Sequence, residues 1–386
     1  MTLLTQHVNL HAVTIYFDIS AAVHRRAGLG RYAESLGRAL LPLLGDRLAF
    51  FYNAEEGVQP LAGLEHVPAR TVALGYKPWR MLVWLGQLSR IPFNRLLPRA
   101  ALFHATEHLL MPLRRVPTVL TVHDLIFRRY PAHHKPLNRW YLNLTMPLYC
   151  RRASHIIAVS EQTKRDVIEA YGVPPEKITV IYEAASPSFT PQSPQAIAAM
   201  GVQYGLPERY ILSVGTIEPR KNLGRVLTAF EQLRGEGLVD AFVIVGKKGW
   251  LYDDFFAQLD RSPAKDAVIF PGWVADEDLP AMVAGAACLA FPSEFEGFGL
   301  PVLEAMACGT PVVCSNTSSL PEVAGDAALL VNPLDTDAIM AALRRVLSEP
   351  GLNAELRARG IAQAARFSWE RAAQETVAVY KRLMKP

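Results

Sequence analysis

Residues 291–313 read FPSEFEGFGLPVLEAMACGTPVV, and this stretch contains the pattern that decides the fold. An apolar run ends at Pro292, an acidic loop with two glycines follows, and Pro301 stands where proline favours the first turn of a helix. Gly309 and Pro311 end that helix, because glycine adopts the left-handed conformation of a C-cap and proline cannot continue a helix. The stretch therefore predicts a strand, a loop and a helix in succession.

The same succession recurs along the whole chain of 386 residues. Largely apolar strands separated by amphipathic helices are typical of parallel sheets that helices cover on both faces. Serine and proline are concentrated in residues 186–198, which predicts a domain boundary. We therefore expect an α/β protein with Rossmann-like domains at residues 1–190 and 191–365, followed by a helix within residues 366–386 that Ser368 caps. The predicted strands are 13–19, 48–52, 102–105, 118–122, 155–160, 178–182, 210–214, 241–245, 268–270, 288–291, 311–315 and 329–331, and the clearest helices are 30–44, 137–152 and 161–171.

Composition excludes several classes of protein. Half of the residues are hydrophobic and a fifth are charged, as in a globular domain rather than a disordered or collagen-like chain. No run of about 18 apolar residues predicts a transmembrane helix, and no secretory signal is recognisable. The four cysteines lack zinc-ligand spacing, so we expect buried thiols in a cytoplasmic, reducing compartment.

Charge is distributed unevenly along the chain. Residues 1–190 contain 22 lysines and arginines and 13 acidic residues. The remainder contains 18 lysines and arginines and 23 acidic residues. A basic half indicates an anionic partner, such as nucleic acid or a phospholipid surface. No helix-turn-helix, RRM or zinc pattern is present, so we expect no nucleic acid.

Residues 77–99 combine basic, aliphatic and tryptophan side chains. This mixture is typical of an interfacial helix on an anionic membrane, although an amphipathic helix packed on its own sheet is the alternative and Pro92 would interrupt one continuous helix. The residues that carry the pattern are Lys77, Trp79, Arg80, Trp84, Arg90, Arg95 and Arg99.

The loop before the predicted helix has the properties of an anion site. Residues 298–300 would place backbone N–H groups at the helix N-terminus, where unpaired donors and the helix dipole stabilise a phosphate. Gly297 and Gly299 would let the phosphate approach closely. Glu296 lies in the loop and Glu304 in the first helical turn, so their carboxylates could reach hydroxyls on either side of a diphosphate. A nucleotide-sugar has that layout, and the alternative is a helix cap with a solvated acidic loop.

A pair of cations forms the second pattern, in LSVGTIEPRKNLGRVLTAF at residues 212–230. Arg220 and Lys221 follow a strand at its carboxyl end, where open parallel sheets bind ligands. An arginine can form a bidentate fork with phosphate oxygens, and a lysine supplies a compact charge. The pair therefore predicts a diphosphate contact, with a solvated basic turn as the alternative. The triplet Asp-Thr-Asp at residues 335–337 opens a helix and reads as a cap rather than as a DxD metal site.

Glu296 and Glu304 reproduce an E-x7-E motif, and with the sequence around them the chain resembles the retaining glycosyltransferases of family 4, which have the GT-B fold. The resemblance covers nearly the whole chain. It implies two Rossmann-like domains whose sheets face a central cleft, with the C-terminal helix returning to the N-terminal domain. It also implies that Glu296 contacts donor sugar hydroxyls, that Glu304 holds the ribose and that Arg220 and Lys221 neutralise the leaving diphosphate without metal or cofactor. Thr216 stands where many relatives have an arginine. The residues assigned to donor binding are Gly28, Gly30, Thr216, Gly297, Phe298, Gly299, Leu300 and Glu304.

In the first half, the family's His-Asp pair corresponds to His123 and Asp124, which follow the strand 118–122. The resemblance implies that His123 lies beside the donor sugar and the site of transfer, with Asp124 orienting its ring. Gly28 and Gly30 begin a helix whose backbone would approach a phosphate or sugar, although helix–sheet packing explains these glycines equally well.

Two further features of the first half bear on the acceptor. His104, Glu107 and His108 end another strand, and we expect them to line the acceptor pocket together with Asp124. Residues 183–185 read Glu-Ala-Ala where most relatives have an Asn-Gly turn.

The sequence thus predicts a retaining hexosyltransferase, cytoplasmic and peripheral on the inner face of the cell membrane. Its favoured substrates are GDP-mannose and a hydroxyl of a glycan or lipid-linked saccharide. One alternative is a transferase of the same fold that uses a UDP- or dTDP-sugar. A phosphorylase would need a lysine signature for pyridoxal phosphate, which we do not find. A nucleotide-binding adaptor without catalysis would be expected to lack His123 or Glu296.

Overall fold

The computed structural model describes residues 14–55, 58, 61–133, 135–272 and 274–384. Val13, the start of one predicted strand, lies outside them. The chain divides into two compact units. Unit 1 consists of Met1–Leu125, Leu137–Glu183 and Ser368–Pro386, and unit 2 consists of Ile126–Pro136 and Ala184–Phe367. Each unit is built around one parallel sheet, so the predicted pair of Rossmann-like domains is confirmed.

Unit 1 contains a seven-stranded sheet. Its strands are β1 (Thr14–Asp18), β2 (Leu48–Asn53), β3 (Ala69–Val72), β4 (Ala100–Ala105), β5 (Thr118–Val122), β6 (His155–Ala158) and β7 (Ile178–Val180), in the order β3-β2-β1-β4-β5-β6-β7. The helices up to residue 171 are α1 (Ser20–Val23), α2 (Ala27–Leu44), α3 (Tyr76–Ser89), α4 (Ile126–Arg129), α5 (Pro136–Arg152) and α6 (Glu161–Tyr171), of which α4 belongs to unit 2. All five residues of β1 are buried, as expected of a central strand covered on both faces.

Unit 2 contains a six-stranded parallel sheet. Its strands are β8 (Tyr210–Val214), β9 (Ala241–Val245), β10 (Val268–Ile269), β11 (Cys288–Phe291), β12 (Val312–Ser315) and β13 (Leu329–Val331), in the order β10-β9-β8-β11-β12-β13. Its remaining helices are α7 (Pro194–Tyr204), α8 (Leu223–Gly235), α9 (Asp253–Arg261), α10 (Leu279–Gly285), α11 (Leu300–Ala307), α12 (Leu320–Ala324), α13 (Thr336–Ser348) and α14 (Pro350–Ala364). Strands β8 and β11 are neighbours, so the residues that follow them lie at the same edge of the sheet.

The C-terminal helix α15 (Trp369–Leu383) belongs to unit 1. Its Trp369 ring lies 5.9 Å from the ring of Tyr32 in α2, and its Tyr380 is fully buried. The Ser368 hydroxyl accepts the N–H of Arg371, so the predicted N-cap of this helix is confirmed. Asp335 caps α13 in the same way, as its sequence context indicates.

The predicted boundary region at residues 186–198 is partly helical. Helix α7 begins at Pro194, and the Ser193 hydroxyl accepts the N–H of Ala196. A serine followed by a proline is a helix start signal as well as a loop signal, because proline fits the first helical position. The division between the two compact units comes earlier, after Glu183.

Helix α3 covers the first part of the basic segment 77–99 and ends before Pro92. Arg90 has a left-handed backbone (φ 58°) and caps the helix at its C-terminus. The expectation that Trp79 belongs to an exposed interfacial face is wrong, because its ring is buried between Phe51 and Phe93. Among the described residues, no helix is both long and apolar enough to cross a bilayer.

Candidate active site

The loop between β11 and α11 in unit 2 forms the predicted anion site. Gly299 is the N-cap of α11 and has a φ of 114°, a conformation that disfavours any residue with a side chain. A Cβ atom there would also lie 2.6 Å from the Leu320 side chain. The Ser319 hydroxyl contacts the carbonyls of Glu296 (3.0 Å) and Phe298 (2.7 Å) and thereby fixes the loop from the side of α12.

Glu304 lies in the second turn of α11, not in the first as the sequence analysis placed it. Helix α11 begins at Leu300, one residue before Pro301, and contains no acidic residue in its first turn. The Glu304 side chain is buried. Glu304 therefore lies about one turn further along the helix than the N–H groups at its start.

Arg220 and Lys221 lie in the short 3-10 helix Pro219–Lys221 after β8, at the same sheet edge as the loop. Lys221 Nζ and Arg220 Nη1 each lie 2.7 Å from Glu296 Oε1. Arg220 also pairs with Glu218 and donates to the carbonyl of Phe295. The structure thus brings together the two cations and the first glutamate of the motif, which sequence analysis had treated as separate patterns.

These contacts set the charge of Glu296. Burial by itself raises the pKa of this carboxyl, but the charges of Arg220 and Lys221 outweigh burial and lower the pKa to about 2. Burial lowers the pKa of Lys221, and Glu296 opposes that change. With Glu218, the cluster contains two cations and two carboxylates, so its charges balance in the protein alone.

Glu218 is a site residue that the sequence analysis missed. It is buried and pairs with Arg220. Its position two residues before an arginine at a strand end was the available signal, because a buried cation needs a carboxylate nearby.

Thr216 lies in the turn that follows β8. Backbone hydrogen bonds on both sides tie this turn to the end of β9, from Gly215 N–H to Val245 O (2.8 Å) and from Ile217 N–H to Lys247 O (3.0 Å). Thr216 is half-buried. A threonine carries no charge, so Thr216 itself adds no positive charge to this edge of the sheet.

His123 directly follows β5 in unit 1 and is buried. Its Nδ1 atom lies 3.1 Å from Glu183 Oε1, and its Nε2 atom lies 2.9 Å from the carbonyl oxygen of Thr106. The ring of Tyr32 stands edge-on to the imidazole at 4.7 Å. The expectation that Asp124 orients the His123 ring is wrong, because Glu183 and Thr106 occupy both ring nitrogens.

Glu107 lies in a buried charged cluster. Its Oε2 atom is 2.6 Å from Arg26 Nη1, and the Arg26 guanidinium stacks 3.5 Å from the ring centre of Tyr76. Its other oxygen, Oε1, has no hydrogen-bond partner. Burial, together with the nearby charge of Glu107, raises the pKa of Asp18 to about 7.

His104 is a core residue, which corrects the expectation that it lines an acceptor pocket. It is fully buried, with Nδ1 bonded to the Tyr380 hydroxyl (2.5 Å) and Nε2 to Thr121 Oγ1 (2.7 Å). Burial lowers the pKa of His104 to about 3, so the ring is neutral near pH 7. It joins helix α15 to the sheet of unit 1.

Gly28 and Gly30 both lie inside helix α2. A Cβ atom on Gly30 would lie 2.9 Å from the Ala21 carbonyl, so the absence of a side chain lets α2 pack against α1. No atom lies within 4 Å of the corresponding position on Gly28. The packing explanation therefore suffices for Gly30, whereas Gly28 remains open to a ligand.

The sequence of this chain matches two protein families. Residues 203–366 match the family described as glycosyl transferases group 1, and residues 26–189 match glycosyltransferase family 4. An O-antigen chain mannosyltransferase B of Escherichia coli is 36% identical over 275 residues, which cover 71% of this chain and 72% of the relative. The chain belongs to the family 4 glycosyltransferases.

Further relatives of this glycosyltransferase are also mannosyltransferases. The MMP alpha-(1->4)-mannosyltransferase of Mycolicibacterium hassiacum is 32% identical over 282 residues, which cover 69% of this chain and 65% of the relative. A serotype-specific mannosyltransferase WbdA of Escherichia coli is 32% identical over 291 residues, and the match spans 35% of its length. The protein is therefore a hexosyltransferase of glycan biosynthesis.

Solved structures agree with the two-domain fold of this glycosyltransferase. Sucrose-phosphate synthase from Thermosynechococcus elongatus matches with a TM-score of 0.78 and 20% identity, covering 96% of this chain and 99% of that one. HepE of Anabaena, solved in complex with UDP and glucose, matches with a TM-score of 0.73 and 20% identity. The match covers 95% of this chain and 99% of HepE. These likenesses establish the GT-B fold.

Proposed function

We propose that the enzyme is a retaining mannosyltransferase that moves mannose from GDP-mannose to a hydroxyl of a glycan or lipid-linked saccharide. The observation that carries the proposal is the 36% identity to an O-antigen chain mannosyltransferase over 72% of that relative. Unit 2 binds the donor, and unit 1 contributes acceptor contacts. The family assignment supports the carry-over of the donor roles to Arg220, Lys221, Glu296 and Glu304.

Donor binding would exchange partners within the cation cluster. In the structure, Glu296 holds both Arg220 and Lys221. A diphosphate carries more negative charge than one carboxylate and can accept bidentate bonds from arginine. We therefore propose that the diphosphate takes over the two cations, which releases Glu296 to accept hydrogen bonds from sugar hydroxyls. The N–H groups at residues 298–300 would meet the distal phosphate at the start of α11.

Retention then follows from front-face transfer. The departing phosphate oxygen takes the proton of the acceptor hydroxyl, while the cations stabilise charge on the leaving diphosphate. Both ring nitrogens of His123 already have hydrogen-bond partners, because Nε2 contacts the Thr106 carbonyl and Nδ1 contacts the Glu183 carboxylate. His123 therefore has no free lone pair with which to take that proton. The role proposed for unit 1 is therefore positioning and electrostatic, not general-base catalysis.

An exposed apolar surface in unit 1 supports an additional role at an anionic membrane. The ring centres of Trp84 in α3 and Trp140 in α5 are 6.1 Å apart, so the two helices meet there. We define the α3/α5 surface by its exposed side chains, which are Met81, Leu82, Leu85, Leu88, Ile91, Leu137, Trp140 and Leu144. Residues 76–152 contain thirteen lysines and arginines but only two acidic residues. An apolar surface within a basic segment matches an anionic lipid surface, where a lipid-linked acceptor would be found.

A panel of radiolabelled nucleotide-sugars tests the choice of donor. The protein is incubated with GDP-mannose, UDP-glucose and dTDP-glucose in parallel, and release of the labelled sugar is followed. We expect release from GDP-mannose at least about tenfold faster than from the other two, because buried polar groups that fit one base stay unpaired with another. Faster release from UDP-glucose or dTDP-glucose would replace GDP-mannose as the donor, and release from none of them would favour a non-catalytic nucleotide-binding protein.

A further inference from the structure

His123 and Glu183 form a buried pair that the family resemblance does not assign. Glu183 belongs to residues 183–185, which read Glu-Ala-Ala shortly after β7. Its carboxylate is buried and lies 3.1 Å from His123 Nδ1. This segment thus supplies a carboxyl group to a histidine 60 residues earlier in the chain.

The hydrogen-bond partners of the imidazole determine its protonation. The carbonyl oxygen of Thr106 can only accept, so Nε2 must donate a proton to it. A charged Glu183 carboxylate is an acceptor as well, so both contacts are satisfied when Nδ1 carries a second proton. A neutral imidazole has one N–H and cannot satisfy both acceptors.

The other groups around His123 do not compete with Glu183 for this proton. Tyr32 from α2 presents its ring edge, and its hydroxyl is bonded to Thr121. His104 and His108, from β4 and the residues after it, have pKa values lowered by burial to about 3 and about 4 and are neutral near pH 7. Two further carboxylates, Asp124 and Glu107, interact with His123 electrostatically and favour its charged form.

We propose that Glu183 is a positioning residue that holds His123 as a fixed imidazolium and that transfer requires this charged form. The role in transfer rests on the function proposed above, whereas the charge state of the pair does not. A buried cation with a fixed orientation can stabilise negative charge that develops during transfer, without reorganising during the reaction. Burial alone lowers the pKa of His123, but the hydrogen bond and charge of Glu183, together with the Thr106 carbonyl and Asp124, outweigh it and raise the pKa above the ordinary 6.5.

The pH dependence has a definite sign. A pKa that is raised in the folded protein means that His123 stays charged at pH 6.5 and loses its proton only as the pH rises through the raised value. Glu183→Gln removes the charge but keeps the shape, so burial then dominates and the pKa of His123 falls. The loss of activity on raising the pH should therefore begin at lower pH in Glu183→Gln than in the wild type.

NMR of the full chain with ¹⁵N-labelled histidine measures the charge state directly. The His123 signals are assigned by their loss in His123→Gln, and the titration is repeated for Glu183→Gln, Glu183→Asp and the exposed control Glu176→Gln. We expect both His123 nitrogens to be protonated in the wild type at pH 7, a downward shift of its titration in Glu183→Gln, and no shift in Glu176→Gln. An unprotonated nitrogen in the wild type at pH 7, or the same titration in Glu183→Gln, would overturn the proposal.

Kinetics of the same variants tests the link to transfer. At pH 7 we expect kcat of Glu183→Gln to fall by about tenfold or more with KM for the donor within about twofold, and Glu183→Asp to restore part of the loss. Equal kcat and pH profiles in Glu183→Gln and the wild type would overturn the catalytic part of the proposal. If the wild type transfers no sugar at all, the proposed function fails, while the NMR titration still decides the charge state of His123.

Discussion

Glu296 is the residue through which the two patterns of unit 2 meet. It contacts Arg220 and Lys221 at 2.7 Å, and together with Glu218 it balances their two positive charges in the free protein. In the proposed mechanism, this carboxylate has two opposite effects on the donor. It competes with a diphosphate for the cations, and it supplies an acceptor for sugar hydroxyls once it is displaced.

Replacing the two glutamates of the motif should therefore have different consequences. In Glu296→Gln the cations lose their internal partner, so we expect free GDP to bind several-fold more tightly and turnover to fall on the order of a hundredfold. Glu304→Gln removes the charge from the proposed bond to the ribose, so GDP binding should weaken by about tenfold or more. Calorimetry measures the GDP affinity of each variant, and steady-state kinetics measures its turnover. Glu349→Gln, in an exposed ion pair with Arg345, is the control, and equal losses of GDP affinity in both motif variants would contradict these roles.

The low pKa of Glu296 also predicts an acid dependence of stability. A carboxyl whose pKa is lowered on folding, here to about 2 from 4.5, stabilises the fold above pH 4.5. This contribution, about 3 kcal/mol, is lost as the pH falls towards 2. The free energy of unfolding of the wild type and Glu296→Gln, measured with urea at several pH values, should therefore converge below pH 4.5. A difference that stays constant from pH 6 to pH 2.5 would show that Glu296 is not held by its charge.

At the scale of the element, the loop of residues 292–299 depends on α12 for its shape. Ser319 is fully buried, and its hydroxyl contacts two carbonyls of the loop. These contacts hold the backbone that leads into Gly299 and the first turn of α11. The N–H groups at residues 298–300 are therefore oriented by a side chain that lies outside the motif.

Ser319→Ala should loosen this loop while leaving every proposed ligand group in place. We expect a loss of about 1 kcal/mol in the free energy of unfolding and a several-fold weaker affinity for GDP. Ser348→Ala removes an exposed serine bond to the Arg344 carbonyl and serves as the matched control. If GDP affinity in Ser319→Ala equals that of the control, the loop does not depend on this hydroxyl for its shape.

Local signals in the sequence predicted the elements of the site with good accuracy. Gly309, Ser368 and Asp335 were assigned as helix ends from residue type and spacing, and the structure places them there. Strand β3 was not predicted, because ARTV is a short edge strand with little apolar character. Glu304 was placed one turn too early, because the pattern does not fix the first helical residue to better than about one or two positions.

Long-range pairings are the part that the sequence did not reveal. The bonds from Glu183 to His123 and from His104 to Tyr380 join residues 60 and 276 positions apart. The bond to Tyr380 places His104 in the core and not in the predicted acceptor pocket. The bond to Glu183 gives His123 a different partner from the predicted Asp124. Residue type alone cannot distinguish these outcomes, because a histidine after a strand is equally compatible with a core and with a site.

At the scale of the whole molecule, the membrane proposal rests on the basic charge of the first half and on the α3/α5 surface. Ile91 and Leu137 are 59% and 80% exposed, although they belong to the most basic part of the chain. Exposed apolar side chains on two helices that meet are therefore a candidate interaction site.

Sedimentation with phosphatidylglycerol vesicles tests the membrane proposal. We expect the wild type to pellet with the vesicles at low salt and to be released at roughly 0.5 M salt, where charges are strongly screened. Replacing Arg90, Arg95 and Arg99 by Gln should reduce pelleting by about tenfold or more, since each cation near an anionic surface contributes about 1 kcal/mol. Arg234, Arg261 and Arg366, which are exposed in unit 2, are replaced by Gln as the control. A wild type that stays in the supernatant at low salt would point to a soluble acceptor.

Retaining, metal-independent release of mannose from GDP-mannose is tested most directly by proton NMR of the freed sugar. The wild type is incubated with GDP-mannose in excess EDTA, and the anomeric signals are recorded before mutarotation equilibrates them. We predict that α-mannose is released first and that the chelator does not slow the reaction, because Arg220 and Lys221 stabilise the leaving diphosphate. Release of β-mannose first, or release that stops in EDTA and returns with magnesium or manganese, would contradict the proposed mechanism.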